Sequence, residues 1–246
     1  MKKIILFILI SSSIIFAQTY GDKQKFAALG DFKLESGEKI EDMKIGYRTF
    51  GKLNSDSSNV ILFPTWFGGR SEDLANLIGE DKLVDSTKYF VIAVDAIGNG
   101  ISTSPSNSKT QHNDEFPHFN LKDAARSQKK MLESLGLNHI YGIIGGSMGG
   151  MQVFQWIVNH PHFIDKAVSY TGTPEFTSYD KLYWQTRKDI IELLQNSGAE
   201  ENEIYDIIKK LTYITIMSFL FASCNTETKE SSIDHTKSSD IVEISI

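Results

Sequence analysis

A serine at the junction between a strand-like and a helix-like segment is the residue of this sequence best suited to covalent chemistry. Ser147 stands in the run Gly145-Gly146-Ser147-Met148-Gly149, directly after the strand-like segment Ile140–Ile144. A serine hydroxyl is a poor nucleophile unless it is exposed beside a base and near an oxyanion hole. A tight strand-to-helix turn exposes it, small residues two positions away permit the close approach, and the helix N-terminus supplies N–H groups. The pattern predicts a nucleophile elbow; a Gly-rich phosphate-binding turn or a plain structural turn is the alternative.

Strands and helices alternate in the predicted structure, and this alternation places the serine turn at a sheet edge. Short apolar runs indicate buried strands, and apolar residues at helical spacing indicate amphipathic helices. The predicted strands are Phe26–Leu34, Asp42–Phe50, Asn59–Phe63, Tyr89–Val94, Ile140–Ile144 and Ala167–Tyr170, and the predicted helices are Leu121–Leu135, Met148–His160, Tyr179–Gln195 and Glu201–Lys210. The first two strands form an antiparallel pair. The alternation predicts an α/β fold with a mainly parallel sheet and helices on both faces.

Three motifs resemble the homoserine O-acetyltransferase-like branch of the α/β-hydrolases. They are the octapeptide 145–152 with Trp156 and His160-Pro161 behind it, the segment Lys44–Gly51, and the segment Asp123–Gln128. The resemblance covers roughly residues 30–195. It implies an α/β-hydrolase fold, truncated here after about the sixth strand, with Ser147 as the nucleophile of a serine–acid–histidine triad.

The resemblance also implies the other groups of the site. Where the family has a loop of His-Ala-Leu-Thr-Gly type, this chain has the run 63–69, Phe-Pro-Thr-Trp-Phe-Gly-Gly. The N–H of Met148 is then one oxyanion donor, and the N–H of Thr65 or of Trp66 is the other. Arg126 would meet a substrate carboxylate in a bidentate contact, or else form a helix-surface ion pair. No cofactor is expected.

The N-terminus has the order of a secretory signal peptide. Lys2 and Lys3 precede the apolar run Ile4–Phe16, and Ala17 offers a small residue for cleavage before Gln18. The run is too short for a spanning helix, which needs roughly 20 residues. We therefore expect a signal peptide at 1–17 and a secreted or periplasmic protein, with an uncleaved membrane anchor as the alternative. Export also makes acetyl-CoA-dependent homoserine acetylation less expected than hydrolysis, or transfer from another acyl donor.

The C-terminal third changes character. After the hydrolase core at 18–175, residues 176–210 form a predicted helical cap segment, and residues 211–246 are an apolar stretch followed by a predicted disordered tail. Two lysines, about a dozen apolar residues, Cys224 and a polar tether are typical of a bacterial lipoprotein signal. We expect the sequence after about residue 205 to come from a neighbouring gene. An ordinary apolar cap helix with a ragged end is the alternative.

The triad is expected to be incomplete in this chain. In α/β-hydrolases the acid and then the histidine follow the serine on later strands. The histidines after Ser147 are His160 and His162, at the far end of the elbow helix, and His235, in the predicted tail. None of them occupies a loop after a later strand, so we expect a catalytically incomplete protein. The competing interpretation is a non-catalytic pseudoenzyme or binding scaffold.

The composition limits the kinds of partner that the protein is expected to bind. The formal net charge is −6 and the isoelectric point is near 5.5. The sequence has no cluster of basic residues, so nucleic acid is not expected as the main partner. A single cysteine excludes an internal disulfide. His112 and His118 flank acidic residues but match no metal-ligand spacing, so no metal is expected. The expected partner is a small-molecule acyl ester or acyl donor. After cleavage of the signal peptide, no stable membrane span is expected in the protein.

Overall fold

The computed structural model describes residues 23–211 and 241–245. Within these residues one sheet has seven strands, namely β1 (Lys25–Lys33), β2 (Lys39–Phe50), β3 (Val60–Pro64), β4 (Phe90–Val94), β5 (Ile140–Gly146), β6 (Ile164–Tyr170) and β7 (Ile241–Ser245). Their order in space is β1-β2-β4-β3-β5-β6-β7. Strands β4, β3, β5 and β6 are mutually parallel, whereas β1, β2 and β7 run antiparallel to their neighbours. The predicted α/β class, the mainly parallel sheet and the antiparallel opening pair are confirmed.

The helices of the described residues lie close to their predicted positions, except for the short helix Ser71–Leu74, which was not predicted. They are α1 (Ser71–Leu74), α2 (Leu121–Ser134), α3 (Met148–Asn159) and α4 (Ser178–Asn196), and residues 201–211 are also helical. Asn120 caps α2 by accepting a hydrogen bond of 3.0 Å from the N–H of Asp123. Gly136, with φ +80°, follows the end of this helix. A side-chain cap at the start and a left-handed glycine past the end are the usual terminators of a helix.

The two faces of the sheet are covered by different parts of the chain. Successive strand residues point to opposite faces. On one face, Ile143 packs in a core cluster with Trp156 of α3. On the other face, Ile144 packs in a second cluster with Leu74 of α1. Because β3, β5 and β6 are parallel, their carboxyl ends meet at one edge, and the turn containing Ser147 lies there.

Two strands begin three residues earlier than predicted. β2 begins at Lys39 instead of Asp42, and β6 begins at Ile164 instead of Ala167. In β2, Asp42 has φ 51°, and the register between β1 and β2 shifts on both sides of Gly30. The prediction therefore placed the start of β2 at an irregular position that lies within the strand. In β6, two charged residues interrupt the apolar pattern without interrupting the pairing with β5.

The C-terminal region differs from the prediction at Ile241–Ser245. These residues form β7, paired antiparallel with β6, where the sequence predicts a disordered tail. Residues with β-branched side chains favour extended backbone, and the open edge of β6 offers them unpaired N–H and C=O groups. The predicted signal peptide, most of the apolar stretch, Cys224 and His235 lie outside the described residues. No helix among the described residues is both long and apolar enough to span a bilayer.

Candidate active site

Ser147 occupies a strained backbone conformation between β5 and α3. Its φ of 53° and ψ of −124° lie in a region that residues with a Cβ rarely adopt. Its N–H donates to the carbonyl oxygen of Tyr170 and to Oγ1 of Thr171, each at 3.1 Å. Both acceptors lie at the end of the neighbouring strand β6. These hydrogen bonds to the end of β6 therefore hold the serine in a backbone conformation that is unfavourable for a residue with a Cβ.

The glycines on either side allow the elements to approach closely. A Cβ at Gly145 would lie 2.4 Å from the carbonyl carbon of Gly149, and a Cβ at Gly149 would lie 2.6 Å from the carbonyl oxygen of Pro64. Helix α3 thus packs directly on the end of β5 and on the loop after β3. The small residues at two positions before and after Ser147 have the steric role that the sequence pattern predicts.

A largely apolar cavity opens at Ser147. The side chain of this serine is exposed, and the cavity has a volume of about 510 Å³. Besides Ser147 it is lined by Phe67, Leu121, Met148, Met151, Thr171, Thr173, Phe176, Tyr179, Asp180, Tyr183 and Trp184. The carboxylate of Asp180 accepts hydrogen bonds from the N–H and hydroxyl of Thr177 at 2.9 and 2.7 Å. The one charged lining side chain in the described part of the chain is thus engaged in a helix cap.

Helix α4 forms one wall of the cavity. The rings of Phe67 and Trp184 meet edge to face, with centroids 4.8 Å apart. Phe67 therefore lines the cavity next to α4. Its neighbour Trp66 packs instead against the second core cluster.

Hydrogen bonding separates the two candidate oxyanion donors in the loop after β3. The N–H of Thr65 donates to the carbonyl of Val94 at 3.1 Å, so it is not available to a ligand. Within the described residues, neither the N–H of Trp66 nor that of Met148, at the start of α3, donates a hydrogen bond. The first N–H groups of a helix lack intrahelical partners and suit anionic oxygen. The pair available at this turn is therefore Trp66 and Met148.

A buried polar chain lies beneath the turn and was not assigned a role from the sequence. Gln128 of α2 and Gln152 and Trp156 of α3 are almost wholly buried and hydrogen-bonded to one another. Nε2 of Gln152 also donates to the carbonyl of Thr65 at 3.1 Å. The sequence signal for this chain was the presence of polar residues on the apolar faces of α2 and α3. That signal does not identify their hydrogen-bond partners, which are distant in sequence.

Arg126 does not line the cavity. Its guanidinium contacts Asp123 at 3.0 Å and Glu35 at 3.1 Å and lies over the ring of Phe32. This is the helix-surface ion pair that the sequence left open as an alternative. Asp95, at the end of β4, is buried and accepts hydrogen bonds from the N–H and hydroxyl of Ser71, each at 2.8 Å, so it anchors the start of α1.

None of the histidines in the described residues lines the cavity with Ser147. His160 follows the last residue of α3, roughly 20 Å from the helix start at about 1.5 Å per residue. Its ring packs edge to face on Trp156, and burial lowers its pKa below the usual 6.5. No group of three or more metal-ligating side chains occurs in residues 23–211 or 241–245.

Comparison with known proteins agrees with this architecture. The sequence model of the family described as "alpha/beta hydrolase fold" matches residues 59–195, more than half of the chain. The chain therefore belongs to the α/β-hydrolase fold family.

Its relatives include both esterases and homoserine O-acetyltransferases. A probable esterase of Corynebacterium glutamicum is 35% identical over 188 residues, 75% of this chain and 54% of that protein. A homoserine O-acetyltransferase of Methanosalsum zhilinae is 40% identical over 158 residues, 56% of this chain and 32% of that protein. The crystal structure of an acetylester hydrolase from Corynebacterium glutamicum superposes with a TM-score of 0.68 at 34% identity, covering 73% of this chain and 52% of that one. The chain thus spans about a third to a half of the length of these relatives.

Proposed function

We propose that Ser147 is the nucleophile of an acyl-ester enzyme. The observation that carries this proposal is the strained, exposed serine at the β5–α3 turn, beside two unengaged N–H groups. Ser147 Oγ would attack the ester carbonyl carbon while its proton passes to a base. The resulting oxyanion would accept hydrogen bonds from the N–H groups of Trp66 and Met148. The bond to the alcohol then breaks, the alcohol leaves with a proton, and water or another alcohol takes the acyl group from Ser147.

The cavity favours a neutral ester as the substrate. Its lining is mostly aromatic and aliphatic, and its one charged side chain in the described region, Asp180, is engaged by Thr177. The carboxylate of an amino acid such as homoserine would lose its hydration there without gaining a cationic partner, because no lysine or arginine of the described residues lines the cavity. Arg126, the expected carboxylate partner, is engaged by Asp123 and Glu35 instead. The relatives named as esterases support the same choice, with hydrolysis as the main reaction.

Acyl transfer is the second candidate reaction. The 40% identity to a homoserine O-acetyltransferase favours it, since transfer and hydrolysis share the acyl-serine intermediate and differ in the group that attacks it. An acceptor alcohol would have to enter the same cavity and exclude water.

We further propose that this chain does not by itself activate Ser147. No imidazole among the described residues lines the cavity. Without a base the hydroxyl stays protonated and reacts slowly, even beside the proposed oxyanion donors. The alternative is a binding scaffold in which Ser147 has no chemical role.

Trapping of the acyl-enzyme tests the proposal. The chain from Gln18 onward is incubated with p-nitrophenyl acetate and with imidazole as the external base, then freed of imidazole and digested, and the acetylated peptides are identified by mass spectrometry. We expect acetyl on Ser147, because removal of imidazole leaves the acyl-enzyme without a base for deacylation, and none at this position in Ser147→Ala. The exposed Ser58, outside the cavity, provides the internal control. Equal acetylation of Ser58 and Ser147 in folded protein would favour the scaffold. Release of acetyl from Ser147 by homoserine, but not by water, would favour transfer.

A further inference from the structure

The structure assigns Gln152 as a positioning residue that aims the N–H of Trp66 at the oxyanion, an inference that rests on the proposed function of Ser147. The carbonyl of Thr65 and the N–H of Trp66 belong to one peptide unit, and the described residues contain no cis peptide bond. In a trans peptide the C=O and N–H point in opposite directions. A donor that holds the Thr65 carbonyl inside the protein therefore turns the Trp66 N–H the other way, toward the edge where Ser147 lies.

Thr65 is held from three sides. Its N–H donates to the carbonyl of Val94 at 3.1 Å, its hydroxyl oxygen accepts from the N–H of Ala96 at 3.1 Å, and its carbonyl accepts from Nε2 of Gln152 at 3.1 Å. The first two bonds fix the residue to the end of β4. The third sets the plane of the peptide unit that contains the Trp66 N–H, and it comes from α3.

The orientation of the Gln152 amide follows from its neighbours. An indole nitrogen only donates, so Nε1 of Trp156 at 2.8 Å requires the oxygen of Gln128 to face it. The amide nitrogen of Gln128 then faces the oxygen of Gln152 at 2.5 Å. This leaves Nε2 of Gln152 directed at the Thr65 carbonyl, which only accepts. The orientation of each amide is therefore fixed by a neighbour that can only donate or only accept. This chain of hydrogen bonds begins at Trp156 and ends at Thr65, in the loop after β3.

The same amide reaches the second oxyanion element. Nε2 of Gln152 also donates to the carbonyl of Met148, the first residue of α3, at 3.2 Å. Gln152 is wholly buried. One side-chain nitrogen therefore ties the loop after β3 to the first turn of α3, and these two segments supply the two proposed donors. Gln152 does not touch the reacting atoms, so its effect on the reaction passes through Thr65 and Trp66.

The test compares Gln152→Met with Gln155→Met. Methionine keeps the length of the side chain but cannot donate a hydrogen bond. Gln155 lies on the same helix and, among the described residues, its side chain is hydrogen-bonded only within α3, to Asn159. The primary readout is the triple-resonance NMR cross-peak that correlates the Trp66 amide with the Thr65 carbonyl carbon. We expect this cross-peak to move in Gln152→Met, with the carbonyl carbon shifted upfield, and to stay in place in Gln155→Met.

The second readout is the rate of fluorophosphonate labelling of Ser147 with imidazole supplied as an external base. Loss of an oxyanion donor costs about 10²–10³ in rate, and we expect a misdirected donor to cost about tenfold or more. Should Gln152→Met not fold, Trp156→Phe removes only the first donor of the chain and should shift the same cross-peak by less. An unmoved cross-peak in a folded variant would overturn the inference. If the cross-peak moves but Ser147 is never labelled in wild-type protein, the positioning stands and the proposed function fails.

Discussion

At the scale of single residues, the tight turn at Ser147 and the close packing of its glycines were predictable from the sequence because both features are local. The φ of 53° at Ser147 and the close approach at Gly145 follow from a turn that the motif itself encodes. The choice between Thr65 and Trp66 could not be made in this way. It depends on a hydrogen bond from Thr65 to Val94, which lies on a neighbouring strand and is invisible to local spacing.

Replacing Ser147 by glycine should stabilise the fold. The backbone at Ser147 costs of the order of 1–3 kcal/mol for a residue with a Cβ, and glycine removes that cost while losing about 0.5–1 kcal/mol through its more flexible unfolded state. We expect a net gain of about 1 kcal/mol in the free energy of unfolding, measured by urea denaturation. Ser147→Ala keeps the Cβ and serves as the control. An equal gain in both variants would show that the hydroxyl, and not the backbone strain, destabilises the native state.

At the scale of elements, the strands and helices of the core were predicted to within a few residues. Apolar runs and caps such as Asn120 are strong local signals. The errors lie where pairing overrides pattern, as at the start of β2 near Asp42 and at β7, which completes the edge of β6. The polar chain from Trp156 to Gln152 also escaped prediction, because Gln128 and Thr65, the partners of Gln152 outside its own helix, lie on α2 and on the loop after β3.

The C-terminal end of α3 should make stability depend on pH. Burial, followed by the nearby charge of Lys129, lowers the pKa of His160 in the folded state below its ordinary 6.5. As the pH falls below about 6.5, the unfolded chain takes up a proton that the folded chain resists, so the free energy of unfolding decreases. Above that pH both states are neutral and this contribution to the pH dependence disappears.

Between about pH 7.5 and about pH 5, two values on either side of the ordinary histidine pKa, the free energy of unfolding should therefore fall less in His160→Gln than in the wild-type chain. Urea unfolding at each pH measures this difference. His162→Gln, at an exposed position two residues away, is the matched control. Identical pH profiles for His160→Gln and the wild type would contradict the assignment.

At the scale of the whole molecule, the described residues provide the serine side of the site and its cavity. The chain spans about a third to a half of the length of its relatives. The fold class was predictable because alternating strands and helices admit few topologies. The acyl donor and acceptor could not be predicted from the sequence, because they depend on the shape of the cavity. That shape depends on α4, whose Trp184 contacts Phe67, a residue more than a hundred positions earlier in the sequence.

We also propose that the protein is exported, a prediction that concerns the whole chain. If residues 1–17 are a signal peptide, the exported protein should begin at Gln18 or within a residue or two of it. N-terminal sequencing of periplasmic or extracellular protein from a bacterial host would show this. Leu9→Arg, which places a charge in the apolar run, should block export. Recovery of soluble cytoplasmic protein that retains Met1, from the unaltered gene, would contradict the proposal.

The most direct test of the central claim, that Ser147 is an acyl nucleophile lacking its base, is fluorophosphonate labelling measured against imidazole concentration. In the folded chain from Gln18 onward, we predict negligible labelling in buffer alone. Labelling at Ser147 should then rise in proportion to added imidazole, and Ser147→Ala should show none at any concentration. Stoichiometric labelling without imidazole that disappears in His235→Ala would contradict the missing base. Failure of imidazole to produce any labelling of folded protein would contradict the nucleophile itself.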